Sequence, residues 1–336
     1  MLSTNTISNN NRVFSGDTNI ILNYLDKTHS WANNLYRKSL ENFWIPEKFS
    51  LEVDILCWSM LPLQEKEIFK ALIGYAIALD SLQSKNMSNL CLPIVNPLIS
   101  SLLVIQQSFE TIHSLSYSYL SESLLSSEEK EKIYQYWLLN PLLRQRCLQT
   151  ATTYQNYQDN NNDWAAYAQS LLANYILEAI QFQFTFRFFE ILERQNKLLA
   201  TASIISLIKR DEDLHVASFQ KLLQLFRQEH PNILSDDMIQ EQIHAVIEFE
   251  KLFCSDLCQD HIYGLSSQII DQYFDYLEQD RLQAIGIDTN QPRLTNPLKH
   301  LQYSSDYTGS TAKTNFFESQ VTSYSQATAL VGWDKL

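Results

Sequence analysis

A repeated acid-and-imidazole pattern constrains this chain more than any other feature. Glu110-Thr111-Ile112-His113 and Glu212-Asp213-Leu214-His215 are both Glu-x-x-His, with Asp80 upstream of the first and Glu178 upstream of the second. Positions i and i+3 lie roughly 60° apart around an α-helix, so both side chains of each pair leave on one face. Asp80 precedes Glu110 by 30 residues and Glu178 precedes Glu212 by 34. Two helices joined by a turn bring the ends of such an interval back to one level. Four carboxylates and two imidazoles in this order form the donor set of a dinuclear iron or manganese site inside a four-helix bundle.

The placement of these acids strengthens the reading. Asp80 follows Leu72, Ile73, Ala76 and Ile77 on the stripe of its helix that faces a core. Glu178 shares a face with Leu171, Phe182, Phe186 and Phe189, and Glu212 and His215 continue a stripe of Ile205, Ile208, Phe219 and Leu222. Glu110 and His113 lie between Leu103 and Leu120 in the same way. An unpaired buried carboxylate costs several kcal/mol, so four on inward faces need compensating charge. Two divalent cations balance them, and the imidazoles add neutral nitrogen donors. A third Glu-x-x-His, Glu241 to His244, serves as a control. It follows the polar run SDDMIQ, and Glu241 lies off the apolar stripe of Ile239, Ile243 and Val246, so it reads as a solvated face.

The whole chain fits a large helical protein. Its 336 residues include only 6 Gly and 8 Pro, which favours long helices over a turn-rich strand fold. A net charge of −13 and the lack of a Lys/Arg cluster argue against nucleic acid as a partner. Five cysteines, an odd number, read as reduced thiols of a cytoplasmic protein. No apolar run approaches the length of a membrane span, and the start, MLSTNTISNNNR, has no signal core. Residues 1–20 are rich in Asn, Ser and Thr and read as a mobile arm; 21–290 read as one helical domain; 291–336 read as a flexible tail carrying Phe316, Phe317, Tyr324 and Trp333. Helices are expected over 68–82 after Pro62, over 98–121 after Pro97, and over 164–194 after the turn DNNND. Cys254, Cys258 and His261 lack the turn and the fourth donor of a zinc site, and the two cysteines read as core thiols. Phosphate loop, Rossmann fingerprint and nucleophile elbow are all missing from the sequence.

Tyr117 stands four residues beyond His113 and seven beyond Glu110, on their face. With it, the segments LDSLQSKN around Asp80, FETIHSLSY (109–117), LEAIQFQFTF (177–186) and LIKRDEDLH (207–215) resemble the small, β, radical-carrying subunit of class I ribonucleotide reductase. ENFWIPE (41–47) resembles that family's Trp-bearing N-terminal segment and FFESQVTSY (316–324) the start of its C-terminal tail, so the resemblance spans about residues 30–325. It implies an all-α, ferritin-like bundle with two iron ions, or two manganese ions. Asp80 and His113 would hold one, Glu178 and His215 the other, and Glu110 and Glu212 would bridge. It further implies that Tyr117 becomes a tyrosyl radical when the reduced metals meet O2. Phe182, Phe186 and Ile208 would form a dry wall around it. Asp211 would accept a hydrogen bond from His113, and Trp44 would continue a redox wire outward. Glu318 and Tyr324 would pass the radical to the large subunit, which the last residues, ALVGWDKL, would dock. A homodimer is likewise implied.

The chain departs from the family at two points. Its final residues lack the acidic, Phe-containing ending common among relatives, and Gln106 stands where some have Trp, leaving open what it bonds. Two other classes remain compatible with the residues. One is a ferritin-like oxidase or metal-storage protein acting without a partner subunit; the other is a metal-free helical scaffold.

Overall fold

The computed structural model describes residues 12–14, 21–24 and 27–301. Among these there is no strand, and twelve α-helices follow one another. They are α1 (Ser30–Glu41), α2 (Glu52–Met60), α3 (Leu63–Cys91), α4 (Pro97–Leu124), α5 (Ser127–Ile133), α6 (Tyr136–Leu139), α7 (Pro141–Asp159), α8 (Trp164–Ile176), α9 (Gln183–Arg194), α10 (Leu199–Glu229), α11 (Asp236–Cys258) and α12 (Ser267–Ala284). The all-α expectation holds, with α3 and α4 longer than their apolar periodicity indicated. The described residues up to Leu298 form one compact unit, and the short 3-10 turn Lys299–Leu301 is assigned to a second. The N-terminal arm lies outside the described residues except for 12–14, where Val13 and Phe14 are buried. The tail residues Glu318 and Tyr324 lie outside them too.

Local chemistry sets most helix starts. Asn96 accepts hydrogen bonds from the Leu98 and Ile99 amides at 3.0 and 3.2 Å, and Pro97 fills the first helical position of α4, where no amide is needed. Asn140 and Pro141 repeat the device at α7, and Asp163 caps α8. Ser126 and Glu129 form a reciprocal capping box on α5. The start of α10 differs, because Leu198 precedes it in the left-handed region (φ 49°) and has nothing to cap with. Asp54 of α2 does so instead, accepting from the Thr201 amide at 2.6 Å and hydroxyl at 2.7 Å.

Helices α3, α4, α8 and α10 carry the six singled-out acids and histidines or lead directly into them. The expected single helix over 164–194 is interrupted: Leu177–Gln181 form a π-helical turn between α8 and α9, with Glu178 inside it. One extra residue per turn shifts every later side chain around the axis, a distortion concentrated at functional sites. Cys254 and Cys258 are fully buried core thiols, and all five cysteines are free. At the control motif, exposed His244 pairs with Glu278 across solvent-facing helix surface at 3.0 Å. No described helix is long and apolar enough to cross a membrane.

Candidate metal centre

Asp80 on α3, Glu110 and His113 on α4, Glu178 in the π-turn, and Glu212 and His215 on α10 converge in the bundle interior, each no more than 1% exposed. Their donor atoms form two quartets, Asp80–Glu110–His113–Glu212 and Glu110–Glu178–Glu212–His215, within each of which all atoms lie within 4.8 Å of one another. Glu110 and Glu212 belong to both. His113 Nδ1 faces Glu212 Oε1 at 3.0 Å and Glu110 Oε2 at 3.4 Å. His215 Nδ1 faces Glu110 Oε1 at 2.9 Å, Glu212 Oε2 at 3.1 Å and Glu178 Oε1 at 3.5 Å. The two rings are 5.9 Å apart.

The electrostatics of the cluster is dominated by its buried carboxylates. Burial, followed by the charge of Glu110, pushes the Asp80 carboxyl well above the usual range; burial and Glu212 do the same to Glu178. For His113 burial favours the neutral ring, but the carboxylates of Asp211, Glu110 and Glu212 beside it outweigh burial and raise the pKa well above 6.5. His215 is raised against its own burial by the charges of Glu212, Glu110 and Glu178. Glu212 is held well below its usual value, because the His215 charge and its hydrogen bonds overcome desolvation. These shifts mark a cluster whose carboxylates favour positive charge among them, as protons or as metal cations. Both Asp80 oxygens, Glu110 Oε2, Glu178 Oε2 and Glu212 Oε1 have no hydrogen-bond partner among the described residues. Buried carboxylate oxygens are not ordinarily left so. Oxygen and imidazole donors aimed at two shared points fit divalent first-row metals.

The other residues singled out in the sequence are placed as follows. Tyr117, 1% exposed, follows His113 by one turn, and its phenol is pushed well up by burial and then by the charge of Asp80. Phe182, Phe186 and Ile208 are buried, the two rings stacked at 6.3 Å. Trp44 Nε1 donates to Asp211 Oδ2 at 2.7 Å. His113 Nε2 stands 3.7 Å from that same oxygen, an ion-pair separation longer than a hydrogen bond. Gln106 donates to Ser218 Oγ at 2.6 Å, tying α4 to α10 one turn beyond His215.

Gln83 was missed. Its amide donates to Glu110 Oε1 at 2.9 Å and also to Glu178 Oε1, placing a neutral donor between two carboxylates. It lies three residues after Asp80 on the same face, a signal that was present in the sequence. The π-turn had no such signal.

Residues 21–297 match the family described as ribonucleotide reductase, small chain. The chain belongs to the ribonucleotide reductase small-chain family. It is therefore the small subunit of an oxidoreductase that works with a large subunit. Among its relatives, the β subunit of ribonucleoside-diphosphate reductase from Treponema pallidum is 29% identical over 328 residues, covering 95% of this chain and 92% of that one. The corresponding subunit from Halalkalibacterium halodurans is 27% identical, covering 96% and 94%. Among solved structures, the ribonucleotide reductase R2 subunit from Clostridium botulinum superposes with a TM-score of 0.84 at 31% identity, covering 90% of this chain and 96% of that one. The dimanganese(II) NrdF of Streptococcus sanguinis shares the fold, with a TM-score of 0.72 at 20% identity over 84% and 97%.

Proposed function

We propose that this chain is the radical-generating β subunit of a class I ribonucleoside-diphosphate reductase, with Tyr117 as the radical site. The single observation that carries the reading is the pair of overlapping quartets with a fully buried tyrosine one turn from His113. Asp80 and His113 would hold one cation, Glu178 and His215 the second, and Glu110 and Glu212 would be shared. Iron is the proposed metal, and manganese suits the same donors. When bound, the two cations supply the oxidising power drawn from O2.

The chain's own residues set the outcome. Tyr117 loses one electron and its phenolic proton, beside the charge of Asp80. Phe182, Phe186 and Ile208 keep water and reductants from the product, whose lifetime depends on dryness. Trp44, Asp211 and His113 form the inner part of a path along which the oxidising equivalent leaves. Glu318 and Tyr324 would carry it onward, and the C-terminal segment would hold the large subunit. There ribonucleotides, diphosphates to judge by the relatives' names, are reduced to 2′-deoxyribonucleotides. We further propose a homodimer acting in the cytoplasm.

The test is low-temperature EPR on metal-free protein loaded anaerobically with Fe(II) and then exposed to O2, beside Tyr117→Phe. A tyrosyl signal is expected in the wild type and not in the variant. The same signal in both would remove Tyr117 from the role. Deleting residues 316–336 should leave metal and radical intact and abolish activity with the large subunit; retained activity would favour an oxidase that needs no partner.

A further inference from the structure

The Glu178 side of the carboxylate cluster leads into a second polar feature that the radical chemistry does not use. Gln83 and Asn86 on α3, Tyr154 on α7, and Ser170 and Asn174 on α8 are all buried, none more than 5% exposed. Their spacing makes stripes. Gln83 and Asn86 follow Asp80 at successive steps of three, while Asn174 and Ser170 precede Glu178 at steps of four. Each stripe therefore begins at a proposed metal ligand and runs away from it along one face.

The stripes meet. Tyr154 donates to Asn174 Oδ1 at 3.3 Å, Asn86 Nδ2 donates to Ser170 Oγ at 3.2 Å, and Gln83 reaches Glu178. The Tyr154 phenol, bonded to Asn174 one turn before Glu178, is pushed up by burial and then by the charge of Glu178. Farther out, Tyr157 follows Tyr154 on α7 and Tyr167 precedes Ser170 on α8, their rings edge to face at 5.2 Å. Both line a cavity of about 480 Å³, rimmed by the exposed Asn161, Asn162 and Asp163. From Glu178 to this rim α8 and its π-turn run about 20 Å, at roughly 1.5 Å per residue.

Satisfaction of the row is incomplete. Asn174 Nδ2, Gln83 Oε1, Glu178 Oε2 and Tyr157 Oη have no hydrogen-bond partner among the described residues. Leaving one such buried group unpaired costs about 1–3 kcal/mol. Polar interiors of this kind are completed by water, each molecule bridging two to four polar atoms, whereas apolar ones stay dry. The buried side chains of Phe182, Phe186 and Ile208 relay no protons. Reduction of O2 to water takes up one proton for each electron, so protons must reach the cluster from elsewhere.

We propose that this polar row is a hydrated proton path joining the cavity at Tyr157 to the Glu178 side of the cluster. The proposal rests on reading that cluster as a dinuclear, O2-reducing centre. The Tyr154 and Ser170 hydroxyls each accept one proton and release another, while the amides of Gln83, Asn86 and Asn174 fix the intervening waters without carrying protons. Bulk water loses a proton at the cavity and the cluster end receives one. Only O–H bonds are made and broken, and no electron moves along the row.

The test uses the full-length chain with Asn174→Leu and, as a milder change, Ser170→Ala. A high-resolution crystal structure of the metal-free wild type should show ordered water between Asn174 Nδ2 and Glu178, lost in Asn174→Leu. After Fe(II) loading, stopped-flow formation of the tyrosyl radical should slow by at least about tenfold in both variants at unchanged metal content. Side chains closed on one another without water would overturn the proposal. So would ordered water together with unchanged rates in variants that bind metal normally. If the wild type forms no tyrosyl radical, the reading of Tyr117 fails, and the path stands or falls on the water seen in the metal-free crystal.

Discussion

Trp44 and Asp211, 167 residues apart in sequence, are joined by a buried hydrogen bond of 2.7 Å from the indole nitrogen to Oδ2. Arg210 holds the other oxygen, Oδ1, at 3.2 Å and also donates to the Asn42 carbonyl, two residues before Trp44. The 41–47 segment is thereby fastened to α10 next to His113. Trp44→Phe leaves Asp211 with an unpaired buried oxygen, a cost of about 1–3 kcal/mol. We expect Tyr117 radical yield by EPR to persist, while turnover with the large subunit falls on the order of a hundredfold, as when a reacting group is misplaced. Unchanged turnover would place the path elsewhere.

Metal affinity should rise with pH. In the metal-free state Asp80, Glu178, His113 and His215 all hold protons above their usual pKa values. Binding must displace these protons, so a lower proton concentration favours it. Titration with Mn(II) between pH 6 and 8, about neutrality, should show tighter binding at the upper end and proton release in a weakly buffered calorimeter. Affinity that is flat with pH would mean the cluster is already deprotonated.

Phe182 stands at the end of the π-turn with its ring against Phe186. Phe182→Ala should cost about 3–5 kcal/mol through loss of contact and a cavity. Hydration of that cavity should shorten the lifetime of the Tyr117 radical, read as EPR decay in samples of equal metal content. A stable radical in a cavity-bearing variant would show that dryness on this side does not matter.

Glu250 gives a separate pH dependence. It is buried on α11, accepts from Tyr75 at 2.7 Å, and desolvation pushes its carboxyl up to about 8. Between its unfolded value of about 4.3 and about 8, the unfolded chain binds fewer protons than the folded one. Stability therefore falls as pH rises through this window and levels off above it. Glu250→Gln keeps an acceptor for Tyr75 and does not titrate, so its stability relative to wild type should increase from pH 5 to 8, by a few kcal/mol at most. A constant difference across that range would place Glu250 in an ionised, paired state.

The six clustered acids and histidines were legible in the sequence because donors that converge inside a bundle repeat at helical spacing on apolar stripes. Those are the two signals periodicity records, and Asp80, Glu110, His113, Glu178, Glu212 and His215 carry both. The start of α4 after Pro97 was legible because its signal is local: the donors and acceptor of its cap lie within three residues.

Tertiary structure alone decided what depends on contacts between distant segments. Asp54 caps α10 in place of Leu198, an acceptor supplied from another helix. Glu178 sits in a π-turn, which leaves no trace in composition or spacing. Gly74 lies in the middle of α3, where Ala is the better helix former. A Cβ there would meet Tyr136 Cβ at 2.7 Å and the Ile133 carbonyl at 2.9 Å, so packing overrules propensity. The polar row from Gln83 to Tyr157 is likewise drawn from three helices, and none of its stripes announces the other two. Periodicity tells which face of a helix is inward, whereas the choice of what that face meets is made only when the helices pack.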